Sequence, residues 1–203
     1  SVESVISSGK LWFNEDDTRT YLSTNKEDHD RYGGTADLTE TQNVLLRNSI
    51  QSIMRGAGGW WMDHGAGTTG GWFAHKDLWN VLDWIRDLDL DMMNRKSAFN
   101  SQIAVIFDEK SMMYLAGGKN DLGYSLFYSS RVVFAKCGLT FGNYLLEDVY
   151  EDKVKSKLLF FLNAWAISDE NRVCLKKKSV SKITRVWCYA PGYIQSHGFD
   201  LKG

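Results

Sequence analysis

The sequence is poor in cysteine, in net charge and in long apolar runs. It has 203 residues, of which three are cysteines, and its formal net charge is −1. An odd number of cysteines without CxxC spacing argues against a disulfide framework and against a zinc site. The near-zero charge, without a basic stripe, argues against a nucleic-acid partner. Because no stretch of about 18 apolar residues occurs, we expect neither a membrane-spanning helix nor a membrane partner.

The cysteines and glycines carry two further expectations. Unpaired thiols at Cys137, Cys174 and Cys188 favour a cytoplasmic over a secreted protein. Phosphate-binding motifs are missing, since neither 65–67 nor 117–118 fits GxGxxG or GxxxxGK[ST]. We therefore expect no nucleotide, no metal and no organic cofactor.

Apolar and aromatic residues are plentiful. Hydrophobic residues make up 43% of the chain and charged residues 24%, which is typical of a packed globular protein. The length suffices for one large domain or two small ones. Eight tryptophans is a high count. They serve either as core residues or as platforms for the apolar faces of sugar rings, and composition does not choose between these roles.

Hydrophobic periodicity predicts strands that alternate with helices, which is typical of an α/β fold with parallel sheets. The chain divides near residue 98 into two segments, 1–97 and 98–203. In the first, we predict a structureless loop over 16–38, strands over 10–14 and 59–62, and helices over 38–55 and 75–93. In the second, we predict strands over 103–107, 144–146, 157–162 and 185–189, and helices over 123–136 and from about residue 168.

Four charged residues follow the first predicted strand, namely Glu15, Asp16, Asp17 and Arg19. Retaining glycoside hydrolysis needs a carboxylate nucleophile about 5–5.5 Å from a second carboxyl group that acts as acid and base. Glu15 is the candidate nucleophile. Adjacent strand residues point to opposite faces, so Glu15 and Asp16 do not form this pair by themselves. Arg19 is a candidate to hold a carboxylate. The alternatives are a solvated acidic loop and a surface ion pair.

Aromatic residues and one acid end the second predicted strand. Trp60 and Trp61 alternate in facing, so we expect one of them on a sugar-binding face and the other in the core. Asp63 and His64 follow, and Asp63 either bonds sugar hydroxyls or caps the next turn. Trp72 belongs to a loop, and we expect it to be an exposed lid or subsite residue. Acids and tryptophans at the ends of two parallel strands are how a (β/α) barrel presents a sugar site.

Three segments, Trp12–Glu15, Arg55–Trp60 and Ile103–Asp108, resemble the β-galactosidases of glycoside hydrolase family 42 and their relatives. The resemblance implies that 1–97 is the C-terminal portion of a (β/α)8 barrel with its last two β/α units. It implies that 98–203 is a flavodoxin-like parallel-sheet domain, similar to a class I glutamine amidotransferase without its cysteine and incomplete at its C-terminus. It also implies a homo-oligomer, a trimer in that family.

The same resemblance implies a double-displacement glycosidase in which Glu15 is the nucleophile. The family's acid/base glutamate lies on the fourth barrel strand, which has no counterpart here. The missing N-terminal barrel half is therefore a required partner, and we expect this chain alone to be inactive. The acidic run and the tryptophan pair depart from typical lactose-cleaving members, so the resemblance is to a relative of those enzymes.

The expected ligand is a carbohydrate. We expect it to contact a set of polar and aromatic residues that follow the two strands, namely Asp16, Asp17, Arg19, Trp60, Trp61, Asp63, His64 and Trp72. The alternative is a non-catalytic oligomerisation or carbohydrate-binding module, in which the acids are solvated.

Overall fold

The computed structural model describes residues 2–65, 71–95, 99–115, 121–177, 182–195 and 198–199. The chain forms two compact units, a first unit of Lys10–Phe99 and a second unit of Ser1–Gly9 together with Asn100–Gly203. One boundary lies close to the predicted division near residue 98, whereas residues 1–9 pack with the second unit. The predicted α/β class with parallel sheets is confirmed.

The first unit follows the predicted alternation of strands and helices. Helix α1 (Val2–Ser7) precedes it in the chain and belongs to the second unit. The first unit has two parallel strands, β1 (Phe13–Asp16) and β2 (Gly58–Trp61), and three helices, α2 (Lys26–Arg31), α3 (Leu38–Ile53) and α4 (Lys76–Asn94). Strand β1 starts three residues later than predicted and includes Glu15 and Asp16, because its pairing with β2 extends through both residues.

The long helices of this unit begin at side-chain caps and meet in an apolar core. The Asp37 carboxylate accepts a 2.8 Å hydrogen bond from the Glu40 amide, and Glu40 in turn accepts one of 2.6 Å from the Ala36 amide. This reciprocal pair is close to a capping box. Helices α3 and α4 pack against each other and against the segment between β2 and α4. Six buried residues form this core, namely Leu45, Ile53, Trp72, Phe73, Leu78 and Ile85.

The predicted structureless loop over 16–38 is wrong, because helix α2 lies within it. The Asn25 side chain accepts a 3.1 Å hydrogen bond from the Asp28 amide and so begins the helix. Glu27 and Asp28 stand in its first turn and Arg31 in its last, which suits the helix dipole at both ends. The segment is short and has no buried residue, which is why apolar periodicity did not reveal it.

The second unit contains the elements that follow residue 100. Its strands are β3 (Ile103–Phe107), β4 (Phe141–Leu145), β5 (Leu158–Phe161), β6 (Thr184–Trp187), β7 (Ile194–Gln195) and β8 (Gly198–Phe199). Its helices are α5 (Glu109–Met112), α6 (Asp121–Gly123), a π-helical stretch (Tyr124–Ser129), α7 (Ser130–Lys136), α8 (Leu146–Tyr150) and α9 (Asp169–Lys177). Four strands form a parallel sheet in the order β4-β3-β5-β6, while β7 and β8 form a small antiparallel pair. The strand predicted over 144–146 is β4, which begins three residues earlier than predicted, at Phe141.

Helix α1 covers the free edge of strand β4. Glu3 accepts a 2.7 Å hydrogen bond from the Asn143 amide, and Ser4 Oγ accepts one of 2.8 Å from the Leu145 amide. Asp148 also accepts from the Leu145 amide, at 2.9 Å. These amides belong to an edge strand and would otherwise be open to pairing with another chain. The contacts explain why residues 1–9 pack with the second unit.

The described residues contain no helix that combines the length and the apolar character needed to cross a membrane.

Candidate functional site

One face of the β1–β2 pair is open and carries the candidate nucleophile. Glu15 is paired with Trp60 across the two strands, so both side chains lie on the same face. Glu15 is exposed, and Trp60 is 42% exposed. Within the ranges that the structure describes, no hydrogen bond or ion pair engages the Glu15 carboxylate. A free carboxylate beside an exposed indole is therefore present at the carboxyl end of a parallel strand.

Phe13 completes this open face. It lies two residues before Glu15 on β1 and is 58% exposed. A Cβ atom added to Gly58 would lie 2.7 Å from Phe13 Cδ2, so the ring of Phe13 covers the glycine. A side chain at this position would displace the ring. We call Phe13, Glu15 and Trp60 the open face.

The opposite face of the same strands meets the helices. Asp16 accepts hydrogen bonds from Asn48 of α3 at 3.2 Å and from the amide of Thr18 at 3.0 Å. Trp61, its partner across the strands, packs against the apolar core of the unit. Of the two tryptophans, Trp60 therefore stands beside Glu15 and Trp61 belongs to the core side. Asp16 is engaged on the side away from the candidate nucleophile.

Arg19 is partly enclosed and bound to acids of its own chain. Its side chain is 10% exposed, and its guanidinium lies 2.6 Å from Asp17 and 2.8 Å from Asp28. The rings of Tyr32 and Trp72 lie 4.3 Å and 5.0 Å from the guanidinium carbon. The hydrogen bond from Arg19 lowers the pKa of the Asp28 carboxyl group below its ordinary value. Arg19 thus makes its contacts inside the loop after β1, where it holds the carboxylate of Asp17.

The expectation that Trp72 is exposed is wrong. Trp72 is only 3% exposed, because both its backbone and its ring are engaged. Its carbonyl accepts a hydrogen bond from the Thr20 hydroxyl, and its amide donates to Asp63 at 2.9 Å. Its ring packs against His64, with 4.9 Å between centroids, as well as against Arg19. Trp72 therefore joins the segments that follow the two strands, and it is not a lid.

Asp63 closes the loop that follows β2. One of its oxygens accepts hydrogen bonds from the amides of Gly65 at 2.8 Å and Trp72 at 2.9 Å. A Cβ atom at Gly71 would lie 2.3 Å from the other oxygen, so the carboxylate rests against a position where glycine leaves room. Of the two roles considered for Asp63, these contacts are those of a turn cap. His64 is exposed beside it.

The sequence pattern did not point to three residues of this region, namely Asp28, Tyr32 and Asn48. The first two belong to the segment that we treated as structureless. Asn48 stands three residues after the buried Leu45, on the face of α3 that meets the strands. A polar side chain at helical spacing from a core residue was a signal that could have revealed it.

A cleft of about 150 Å³ lies on the helix side of the strands, and Glu15 does not line it. Its lining is mixed, with apolar and polar residues that include Asp16, Asn48, Ile53 and Trp61. The cleft separates β1 and β2 from α3 and α4. Of the three residues of the open face, Trp60 also lines this cleft, whereas Phe13 and Glu15 do not.

The carboxyl end of the four-stranded sheet holds a second polar cluster. Asp108 is 2% exposed and follows β3, and its carboxylate accepts from the amides of Lys110 and Ser111 at 3.2 Å each. Asn163, which follows β5, accepts from the Asp108 amide at 2.8 Å and donates to its carbonyl at 2.7 Å. Burial raises the pKa of the Asp108 carboxyl group. The cluster caps α5 and ties two strand ends together, which is a structural role.

The three cysteines are unpaired, and no metal-binding cluster occurs in the described ranges. Burial raises the pKa of the Cys188 thiol, so the thiol form is favoured. Cys137 is exposed, and Cys174 is partly buried. Groups of three or more His, Cys, Asp or Glu side chains that could hold a metal ion are absent from these ranges.

Comparison with known proteins gives one structural likeness. No family model matches the chain, and no curated protein sequence does. The chain is similar to the crystal structure of β-galactosidase from Bifidobacterium adolescentis, with 18% sequence identity and a TM-score of 0.41. The likeness covers 49% of this chain and 45% of that one, so the chain spans less than half the length of that structure. At this score it decides nothing about activity, which has to be argued from the residues of the site.

Proposed function

We propose that this chain is part of a retaining glycoside hydrolase, related to the β-galactosidases of family 42, and that it supplies the nucleophile Glu15. The observation that carries the proposal is the open face, where the carboxylate of Glu15 is exposed beside the exposed ring of Trp60. Catalytic side chains of (β/α) barrels stand at the carboxyl ends of the strands, which is where Glu15 lies.

The proposed reaction has two steps. In the first, a Glu15 oxygen forms a bond to the anomeric carbon while the glycosidic C–O bond breaks, and a carboxylic acid protonates the leaving oxygen. In the second, the resulting carboxylate takes a proton from water, and the water oxygen displaces Glu15 from the anomeric carbon. The acid/base group is expected on the N-terminal part of the barrel, outside this sequence or on another chain. The proposed step requires no metal and no organic cofactor.

The contacts of the neighbouring acids support Glu15 over the alternatives. Asp16 is bonded to Asn48 on the other face, Asp17 is paired with Arg19, and Asp63 binds two backbone amides. Each of these groups already has a partner within the unit, whereas Glu15 faces open space. Trp60 is the proposed platform for the apolar face of the sugar ring.

The second unit fits the other part of the proposal, a flavodoxin-like domain that serves in assembly. If strands β3, β4, β5 and β6 are renumbered 1 to 4, their order across the sheet is 2-1-3-4. This is the beginning of the flavodoxin-like order. The side chain of Asn163 bonds the backbone of Asp108, and the Asp108 carboxylate accepts from the amides of Lys110 and Ser111. We propose homo-oligomerisation, with a trimer as the expected state. A monomer mass from light scattering of the longest available form of the protein would contradict the proposed homo-oligomer.

The test of the nucleophile is chemical rescue. In the longest form of the protein, Glu15→Ala should abolish hydrolysis of an activated aryl β-galactoside, and sodium azide should restore turnover with an inverted glycosyl azide as product. Glu109→Gln, an exposed acid of α5, is the matched control and should hydrolyse the substrate at the wild-type rate. Hydrolysis by Glu15→Ala within about tenfold of wild type, a barrier change of only about 1.4 kcal/mol, would rule Glu15 out.

A non-catalytic carbohydrate-binding module is the second candidate. It is favoured by one observation, namely that the described residues bring only one unengaged carboxylate to the open face. Such a module would bind sugars through Trp60 and show no turnover. Sugar binding by the longest form of the protein, lost in Trp60→Ala and kept in Glu15→Ala, without hydrolysis of any glycoside, would identify it.

A further inference from the structure

We propose that Arg19 is a positioning residue that fastens the segment after β1 to the segment after β2 and so fixes the backbone that directly follows Glu15 and Asp16. The structural part of this inference rests on the contacts of Arg19. Its consequence for catalysis rests on the proposed function. Arg19 is four residues beyond Glu15, and the contacts assign it a role apart from substrate binding.

The charge contacts of Arg19 use several guanidinium nitrogens. Nε donates to Asp28 at 2.8 Å, and Nη1 donates both to the carboxylate of Asp17 at 2.6 Å and to its carbonyl at 2.8 Å. Asp28 lies in α2 and Asp17 directly follows β1, so one side chain ties the helix to the segment after the strand. A lysine has a single nitrogen without this planar fork and cannot reproduce the set.

The ring contacts extend the connection to the second strand. Tyr32 follows α2 and Trp72 follows β2, and both rings lie within the distance range of cation–π contacts. Trp72 is itself anchored by the carboxylate of Asp63 and the hydroxyl of Thr20. Arg19 therefore contacts the ring of a residue that two hydrogen bonds hold in position.

The backbone of Arg19 holds the return of the same loop. Its carbonyl accepts hydrogen bonds from the amide of Thr35 at 2.9 Å and from the Thr35 hydroxyl at 3.3 Å. Thr35 is 2% exposed and also shares a 2.6 Å hydrogen bond with Thr41 of α3. The loop over 17–35 is thus closed on Arg19 at both of its ends. Loss of the guanidinium should loosen this loop and leave the helix core intact.

The first readout is hydrogen exchange of the 203-residue chain, and it needs no activity. In Arg19→Met and Arg19→Lys, peptides of the loop over 17–35 should exchange about tenfold faster, as a local opening eased by about 1.4 kcal/mol predicts. Peptides of α3 and α4 should be unchanged. Tyr32→Ala, which removes an exposed ring, should give a smaller rise in the same peptides. Arg86→Lys, a surface arginine of α4 that is 61% exposed, is the control and should change nothing in this loop.

The second readout is the rate at which an activated 2-deoxy-2-fluoro glycoside inactivates the longest form of the protein. Arg19→Lys should slow inactivation about tenfold with little change in the inactivator concentration at half-maximal rate, because placement rather than affinity is lost. Faster exchange in the Arg19 variants, together with a wild-type protein that no glycoside labels, would keep the positioning role and remove the proposed function. Unchanged exchange in both Arg19→Lys and Tyr32→Ala would overturn the positioning role, whatever the activity.

Discussion

Trp60 and Trp61 are adjacent in sequence, yet their side chains lie on opposite faces of β2, and we expect them to have different roles. Trp60 is 42% exposed on the open face, whereas Trp61 packs against the core between the helices. Replacement of each by alanine therefore separates a binding role from a packing role. The pair is its own control, because the two variants remove the same side chain one residue apart.

The expected magnitudes follow from burial. Truncation of a core tryptophan costs about 3–5 kcal/mol, and because Trp61 is partly buried we expect about 2–3 kcal/mol for Trp61→Ala. Trp60 faces solvent, so Trp60→Ala should change the free energy of unfolding by less than about 1 kcal/mol. Loss of a sugar platform should instead weaken binding about tenfold, which corresponds to about 1.4 kcal/mol.

The assays are urea unfolding of the 203-residue chain, followed by circular dichroism, and KM measurements on the longest form of the protein. Trp61→Ala should lower the unfolding midpoint of the first unit while Trp60→Ala leaves it nearly in place. Trp60→Ala should raise KM. The assignment of faces would be refuted if Trp60→Ala were the more destabilising of the two variants, or if KM rose only in Trp61→Ala.

Three further predictions concern the second unit. A thiol reagent at pH 8 should label the exposed Cys137 faster than Cys188, whose thiol is kept protonated by burial, and equal rates by peptide mass spectrometry would contradict this. The folded pKa of Asp108 is raised above its ordinary value of 3.8, so the unfolding free energy of wild type should fall relative to Asp108→Asn as pH rises above that value. A difference in unfolding free energy between wild type and Asp108→Asn that stays constant from pH 3 to pH 8 in urea titrations would refute this. Glu3→Ala should lower the free energy of unfolding in urea by about 1–3 kcal/mol, because the Asn143 amide loses its acceptor. An unchanged free energy would contradict the stabilising role of α1 at the edge of β4.

Local chemistry explains why much of the fold was predictable. The apolar run of β3 was predicted at its observed bounds, and α3 starts at the predicted residue 38, directly after its Asp37 cap. Such features depend on neighbours in sequence. Helix α2 was missed because it buries nothing, and a short polar helix has no periodic apolar signal. The packing of α1 with the second unit was missed because its partners, Asn143 and Leu145, are distant in sequence.

The site shows the same division between local and distant information. Strand alternation predicted that Trp60 and Trp61 separate, but only the pairing with β1 decides which one lies beside Glu15. Trp72 was expected to be exposed because it belongs to a loop. Its burial comes from Arg19 and Asp63, which reach it from other segments of the unit.

The most direct measurement on the central claim is covalent labelling of the longest form of the protein with a panel of 2-deoxy-2-fluoro glycosides, followed by peptide mapping. We predict a mass addition on the peptide that contains Glu15, and its loss in Glu15→Gln. The sugar that labels would also identify the substrate class. A folded protein that takes no label from any sugar, or a label on another carboxylate, would contradict the assignment of Glu15 as the nucleophile.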